Sequence, residues 1–165
     1  MKLWISRHGF AGKPSADPKV ERERPLKPEG IAMVKAIGQA MLDAGEQPKI
    51  VFCSPYTRTT MSADILGGML GISVNVVGDM APQRPLTPAL QSLIGVTGSE
   101  QMKRVLLVGH VDNTSPCMTD LGTNDDWNDL VMAECRRVKI DRDTLEWSLK
   151  WGVKPSDLGL RDVTG

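Results

Sequence analysis

A chain of 165 residues, with 41% hydrophobic and 24% charged residues, has the length and composition of one soluble globular domain. Its 20 basic and 20 acidic side chains cancel, which excludes the overall positive field that attracts nucleic acid or anionic membranes. Any basic site must therefore be local.

The cysteines and the apolar runs indicate the cellular compartment in which the protein resides. Cys53, Cys117 and Cys135 show no C-x-x-C spacing and leave an odd thiol, which predicts a reducing compartment. The N-terminus carries too few apolar residues for a signal peptide, and no run approaches the ~18 apolar residues of a membrane span. We therefore expect a cytoplasmic protein.

The chain begins with alternating signals for strands and helices. Residues 3–5 form a short apolar run without helical period, which predicts a buried strand. Residues 12–24 are polar and contain two prolines, which predicts a long loop, and loops of this length are often functional. From Gly30, apolar side chains at spacings of three and four predict a helix that Gly45 ends.

The middle of the chain repeats this alternation. Residues 49–53 predict a second buried strand, and Ser54 and Pro55 predict the N-cap and first position of the next helix, which Gly71 ends. Residues 72–77 predict a third strand. A proline-rich loop over 78–88 and a short helix around 89–94 follow.

The last third completes the sheet. Residues 104–108 are the most apolar run and predict a central strand, and residues 113–121 predict a short helix. Residues 137–140 and 145–149 alternate around a polar turn, which predicts a hairpin at one edge, whereas residues 125–134 favour no element. Together these signals predict a three-layer α/β/α sandwich with a mostly parallel central sheet and an antiparallel edge. We expect one domain over residues 1–154 and a tail over 155–165 that is loop or disordered.

The only two histidines follow two predicted strands. Arg7 and His8 come after the first strand, His110 after the fourth, and Arg58 lies shortly after the second. The carboxyl ends of parallel strands share one edge of the sheet, where ligands bind. Arginine holds phosphate oxygens bidentately, and a histidine among cations stays neutral and nucleophilic. These residues therefore predict a site for a dianion such as a phosphoryl group.

Four motifs in this order resemble the histidine phosphatase superfamily. They are Arg7-His8-Gly9, Arg24-Pro25-Leu26-(x)3-Gly30, Ser54-Pro55-(x)2-Arg58 and Gly109-His110, and the matching stretch spans residues 3–110. The short chain, without a cap insertion, is most similar to the small SixA-type phosphohistidine phosphatases, which have the phosphoglycerate mutase-like fold.

The resemblance implies a phosphatase that uses a phosphohistidine intermediate and needs neither metal nor cofactor. His8 would be the nucleophile, and Arg7, Arg58 and His110 would hold the phosphoryl oxygens. Arg24 would line the phosphate pocket, although a salt bridge to a neighbouring glutamate is an equal alternative. The implied partner is a phosphohistidine protein or a small phosphorylated metabolite, and neither nucleic acid nor a membrane.

Two positions depart from the family pattern. Phe10 stands where many members have an acidic or polar residue, and Val111-Asp112-Asn113 replaces the usual Asn-Pro after the second histidine. The proton donor stays open between Asp79, in the loop after the third strand, and Asp112, unless both are ordinary solvated carboxylates. A missing acid favours phosphohistidine as substrate, because imidazole leaves phosphorus more easily than an alkoxide does.

The same two departures motivate an alternative function. A protein of this fold that has lost turnover would act as a phosphate-binding or scaffold protein. A phosphotransferase of the phosphoglycerate mutase type is disfavoured, because those relatives resemble longer chains with additional substrate-binding segments.

Overall fold

The computed structural model describes residues 1–82, 84–96, 98–121 and 129–163. Within these ranges the strands are β1 (Lys2–Arg7), β2 (Ile50–Cys53), β3 (Val74–Val76), β4 (Arg104–Gly109), β5 (Cys135–Ile140) and β6 (Trp147–Val153). The α-helices are α1 (Pro18–Glu23), α2 (Pro28–Asp43), α3 (Thr57–Leu70), α4 (Thr87–Gly95) and α5 (Val111–Leu121). Short 3-10 helices cover Gly78–Met80, Gln101–Lys103 and Pro155–Leu158.

The strands form one sheet in the order β3-β2-β4-β1-β5-β6. The first four in this order are parallel, and the β5–β6 hairpin adds an antiparallel edge beside β1, as predicted. Arg7 lies opposite Gly109 in the β1–β4 register, and Cys53 lies opposite Val108. The chain therefore leaves β1, β2 and β4 at nearly the same level of the sheet.

Each face of the sheet carries its own apolar core. Side chains alternate along β1, so that Leu3 and Ile5 pack on one face and Trp4 on the other. Helices α4 and α5 cover the first face, and α2 and α3 cover the second. This arrangement confirms the three-layer sandwich. None of the described helices combines the length and apolar character needed to cross a bilayer.

The uninterrupted loop predicted over residues 12–24 is wrong, because this segment contains α1. Asp17 is its N-cap and accepts hydrogen bonds from the backbone N–H groups of Lys19 and Val20, and Pro18 takes the first helical position. None of the residues of α1 is buried. A helix without a buried side has no apolar stripe, which is why periodicity did not reveal it.

The predicted start of α3 is also wrong by two residues. Tyr56, not Ser54, is the N-cap, and the helix begins at Thr57. The chain uses residues 54–56 to turn from β2 into the helix, so Ser54 stays at the strand end, fully buried. The Ser54 hydroxyl is therefore placed to form a hydrogen bond with a residue at the end of the neighbouring strand β4.

The predicted tail is partly ordered into the fold. Its 3-10 helix begins at Pro155, which is buried. The backbone N–H of Met132 donates to the carbonyl of Val163 over 2.8 Å. Residues 125–128, for which no element was predicted, and residues 164 and 165 of the tail lie outside the described part of the chain.

Candidate active site

The two histidines meet at the carboxyl edge of the sheet. Each follows one residue of the Arg7–Gly109 pair, and their ring centroids lie 5.2 Å apart. His8 is 5% exposed and His110 is 3% exposed. The sheet register therefore places both imidazoles in one buried site.

Hydrogen bonds define the form of the His8 ring. Its Nδ1 lies 2.8 Å from the carbonyl oxygen of Gly9, which can only accept, so Nδ1 carries the proton. Its Nε2 then bears a lone pair and accepts a hydrogen bond from Nε of Arg58 over 3.2 Å. Burial, with smaller contributions from nearby arginines, lowers the pKa of His8 from 6.5 to about 3. The ring is neutral at pH 7.

His110 is neutral for the same reasons. Its Nδ1 lies 3.4 Å from Nη2 of Arg58, which can only donate, so Nδ1 accepts. Its Nε2 donates to the hydroxyl of Ser54 over 2.9 Å. Burial, followed by the proximity of His8 and Arg58, lowers its pKa from 6.5 to about 2. Ser54, assigned as a helix cap from sequence, instead orients this ring.

Two arginines supply buried positive charge to the site. Arg58 lies in the first turn of α3, is 5% exposed, and stacks over the ring of Tyr56 with its guanidinium carbon 4.8 Å from the ring centre. Arg7 donates from Nη1 to the carbonyl of Leu130 over 2.9 Å. Its buried Nε has no hydrogen-bond partner among the described residues, which leaves a donor for an anion.

Glu21 is a further member of the site that sequence reasoning missed. Its carboxylate holds Arg24 in a two-pronged salt bridge, at 2.7 Å to Nη2 and 2.9 Å to Nε, and lies 3.1 Å from Nη2 of Arg58. The hydrogen bonds from Arg24 are the main reason that the pKa of Glu21 falls from 4.5 to about 2. The three-residue spacing of Glu21 and Arg24 on a helix suggests their pairing. Only the fold brings Arg58 to them.

These side chains line an open cavity of about 690 Å³. Arg24 lines this cavity and also pairs with Glu21. Phe10 and Tyr56 contribute apolar wall, and Phe10 also packs against the core on the α2–α3 side. The volume leaves room for a leaving group beside a phosphoryl group.

The two candidate acids are placed differently. Asp112, in the first turn of α5, lines the cavity. Asp79 does not line it: the carboxylate is largely exposed and pairs with Arg84 over 3.0 Å. Within the described ranges, no three His, Cys, Asp or Glu side chains are arranged to hold a metal ion.

Gly9 and Gly30 lie where the first and second sequence motifs contact each other. A Cβ on Gly9 would lie 2.6 Å from the carbonyl oxygen of Gly30, and a Cβ on Gly30 would lie 2.1 Å from that of Phe10. These contacts join the loop after β1 to the first turns of α2, so the lack of a side chain at both glycines lets the loop pack directly against that helix.

Comparison with known proteins finds a family model that matches part of the chain and solved structures that share its fold. Residues 3–81 match the model of the histidine phosphatase superfamily (branch 1). The structure of the protein histidine phosphatase SixA complexed with tungstate has a TM-score of 0.81 at 20% identity, over 96% of this chain and 99% of that one. A SixA-type protein from Agrobacterium tumefaciens has a TM-score of 0.68 at 19% identity, over 93% of this chain and 97% of that one.

A phosphatase with a named small-molecule substrate has the same fold. The mycobacterial glucosyl-3-phosphoglycerate phosphatase complexed with VO3 has a TM-score of 0.69 at 15% identity, over 91% of this chain and 97% of that one. No curated protein matches the sequence significantly. The chain thus matches the histidine phosphatase superfamily, branch 1, through residues 3–81, and shares the SixA fold along nearly its whole length.

Proposed function

We propose that the protein is a metal-independent phosphatase in which His8 is the nucleophile. The observation that carries this proposal is the neutral His8 ring, whose unprotonated Nε2 faces the guanidinium of Arg58 in an open cavity. A nucleophile beside a donor for phosphoryl oxygens is the pairing that phosphoryl transfer needs.

The reaction follows from the donors around His8. The hydrogen bond from Arg58 Nε to Nε2 breaks, the freed Nε2 lone pair attacks phosphorus, and the bond to the leaving group breaks with its electrons staying on that group. Phosphorylation makes the ring cationic, and the Nδ1–H bond to the carbonyl of Gly9 stabilises this charge. Water then attacks phosphorus, which releases inorganic phosphate and restores the neutral ring.

The remaining cations hold the transferred group. Arg7, Arg58 and Arg24 line the cavity and donate to phosphoryl oxygens. His110 contributes once a dianion lies beside it, because a nearby negative charge raises the pKa of an imidazole and favours the protonated, donating ring. The tungstate and VO3 complexes of the two phosphatases of this fold support an oxyanion as ligand.

We propose phosphohistidine in a protein as the preferred substrate, with a small phosphoester as the second candidate. The fold shared with SixA supports the first, and that shared with the glucosyl-3-phosphoglycerate phosphatase supports the second. Of the two candidate acids only Asp112 lines the cavity, and a small phosphoester would depend on it more than phosphohistidine would, because imidazole leaves phosphorus more easily than an alkoxide does. The odd number of cysteines and the lack of C-x-x-C spacing support a cytoplasmic location.

The test is hydrolysis by a His8→Ala variant. We expect this variant to lose hydrolysis of phosphoramidate and of p-nitrophenyl phosphate, and the parent protein to carry an acid-labile phosphate on His8 after rapid quenching. The control is Glu23→Gln, an exposed position on α1, which retains activity. Hydrolysis that survives in His8→Ala would overturn the proposal.

A non-catalytic phosphate-binding protein is the second candidate. Phe10 in the cavity wall favours it, because an apolar ring replaces a position that is polar in many members of the family. Binding of vanadate without turnover of any phosphohistidine peptide or small ester would select this function.

A further inference from the structure

We propose that Glu21 competes with phosphate for the arginines of the cavity and so promotes release of the product. This inference rests on the proposed function. It assigns a role in setting affinity to a residue outside the four family motifs.

The contacts of Arg58 show why an anion must displace something. Its Nε donates to His8, Nη1 donates to the backbone carbonyl of Glu21 over 2.9 Å, and Nη2 lies within reach of both His110 and the Glu21 carboxylate. A guanidinium has five N–H donors, so these contacts occupy all but one of them. Two-pronged binding of a phosphoryl group to Arg58 therefore requires that one existing partner leaves.

Glu21 is the partner that an oxyanion replaces at least cost. The exchange trades one carboxylate oxygen for one phosphoryl oxygen at Nη2, and it leaves the Nε bond that orients the His8 ring in place until the ring attacks. Glu21 lies on α1, which has no buried residues, so its displacement disturbs neither core. The carboxylate is 20% exposed, and water can solvate it as it moves away.

The charges around the site explain why this exchange affects the release of phosphate. Arg7, Arg24 and Arg58 face the cavity, and the carboxylates among its described lining residues are Glu21 and, at the start of α5, Asp112. Three arginines would retain a phosphate dianion tightly and slow its release. Because Glu21 returns to Arg58 as phosphate leaves, it stabilises the empty site and weakens binding of the product.

The test compares Glu21→Gln with Glu23→Gln. Glutamine keeps the shape and one oxygen acceptor but removes the charge. A change in phosphate affinity therefore reports the loss of the charge and not a change in the shape of the side chain. We expect the Kd of inorganic phosphate, measured by calorimetry, to fall about tenfold in Glu21→Gln, since a partly exposed unit charge contributes on the order of one decade at this range. Saturated turnover should fall if release of phosphate limits it. Glu23→Gln, exposed on the same helix, should leave both quantities unchanged.

The opposite result distinguishes a purely structural role. If Glu21 only orients Arg24 and Arg58, its replacement weakens phosphate binding, and an unchanged or higher Kd in Glu21→Gln would overturn the inference. Phosphate binding needs no turnover. A parent protein that binds phosphate but hydrolyses nothing would therefore overturn the proposed function while leaving the test of Glu21 intact.

Discussion

The hydrogen bonds of His8 and His110 make the charge of each ring a property of the fold. Each ring has one nitrogen against a group that only accepts or only donates, and both rings are nearly inaccessible to water. The unfolded chain has neither constraint, so its histidines titrate near pH 6.5. The site therefore links the stability of the protein to pH.

We expect the free energy of unfolding to fall as the pH drops below about 6.5. The pKa values of His8 and His110 are about 3 and about 2 in the folded state, so below 6.5 the unfolded state binds more protons. The slope approaches about 1.4 kcal/mol per pH unit for each ring. Urea unfolding between pH 7.5 and 5 measures it, and His8→Asn should remove about half. An equal slope in both proteins would contradict this assignment.

A second expectation concerns the proton donor. Asp112 lines the cavity and Asp79 does not, so we expect Asp112→Asn to lower kcat/KM for an alkyl phosphate by about 10²-fold, the lower range for general acid catalysis. Phosphoramidate and p-nitrophenyl phosphate have easier leaving groups and should change only a few-fold. Asp79→Asn is the matched control and should affect neither. Equal losses on all substrates would exclude Asp112 as the acid.

At the scale of elements, the site depends on how the loop after β1 meets α2. The backbone of Phe10 passes so close to Gly30, in the first turn of α2, that this position leaves no room for a side chain. The backbone N–H of Lys27 also donates to the carbonyl of Phe10 over 2.9 Å. Gly30, the glycine of the second motif, is thus needed for the loop that carries His8 to pack against α2.

Gly30→Ala should therefore destabilise the protein. The added Cβ would overlap backbone atoms, which cannot rotate away, so we expect a loss of about 3 kcal/mol, the upper end for overpacking. Gly68→Ala in α3 is the control, because its Cβ would meet nothing within 4 Å, and it should stabilise by about 0.5–1 kcal/mol. Chemical denaturation measures both. Similar stabilities would contradict the overlap.

The elements also show which parts of the fold the sequence can reveal. Parallel strands buried on both faces appear as uninterrupted apolar runs, and α2 has an apolar stripe on its buried side, so both were predictable. Helix α1 buries nothing, and only the Asp17-Pro18 pair marked its start. The contact of Glu21 with Arg58 joins residues 37 positions apart, and no local pattern encodes it.

At the scale of the whole molecule, the order of the strands brings the site together. His8 and His110 are adjacent because β1 and β4 are neighbours in the centre of the sheet, and the rule that parallel strands end at one edge predicted this meeting. The same rule does not predict the position of Asp79. Its distance from the cavity depends on the path of the chain after β3, where Arg84 holds its carboxylate.

The C-terminal segment should contribute to stability and to the cavity. Pro155 is buried, and Val163 accepts a hydrogen bond from Met132, whose side chain lines the cavity. We expect a chain ending at Lys154 to lose about 1–3 kcal/mol of unfolding free energy and to show a higher KM. A chain ending at Asp162 lacks only residues 163–165 and so measures the contribution of the hydrogen bond from Met132 to Val163. Wild-type stability in the shorter chain would show that the segment only covers the surface.

The exposed position of α1 has a consequence for how such a protein can change. The groups proposed for the chemistry are fixed by β1, β4 and α3, whereas residues 12–23 border the same cavity without entering either core. Insertions and substitutions in this segment can alter which leaving groups fit while the two apolar cores stay intact. Replacing the loop between Gly12 and Asp17 is therefore a direct way to redirect substrate preference while Glu21, Arg24 and Arg58 keep their mutual contacts.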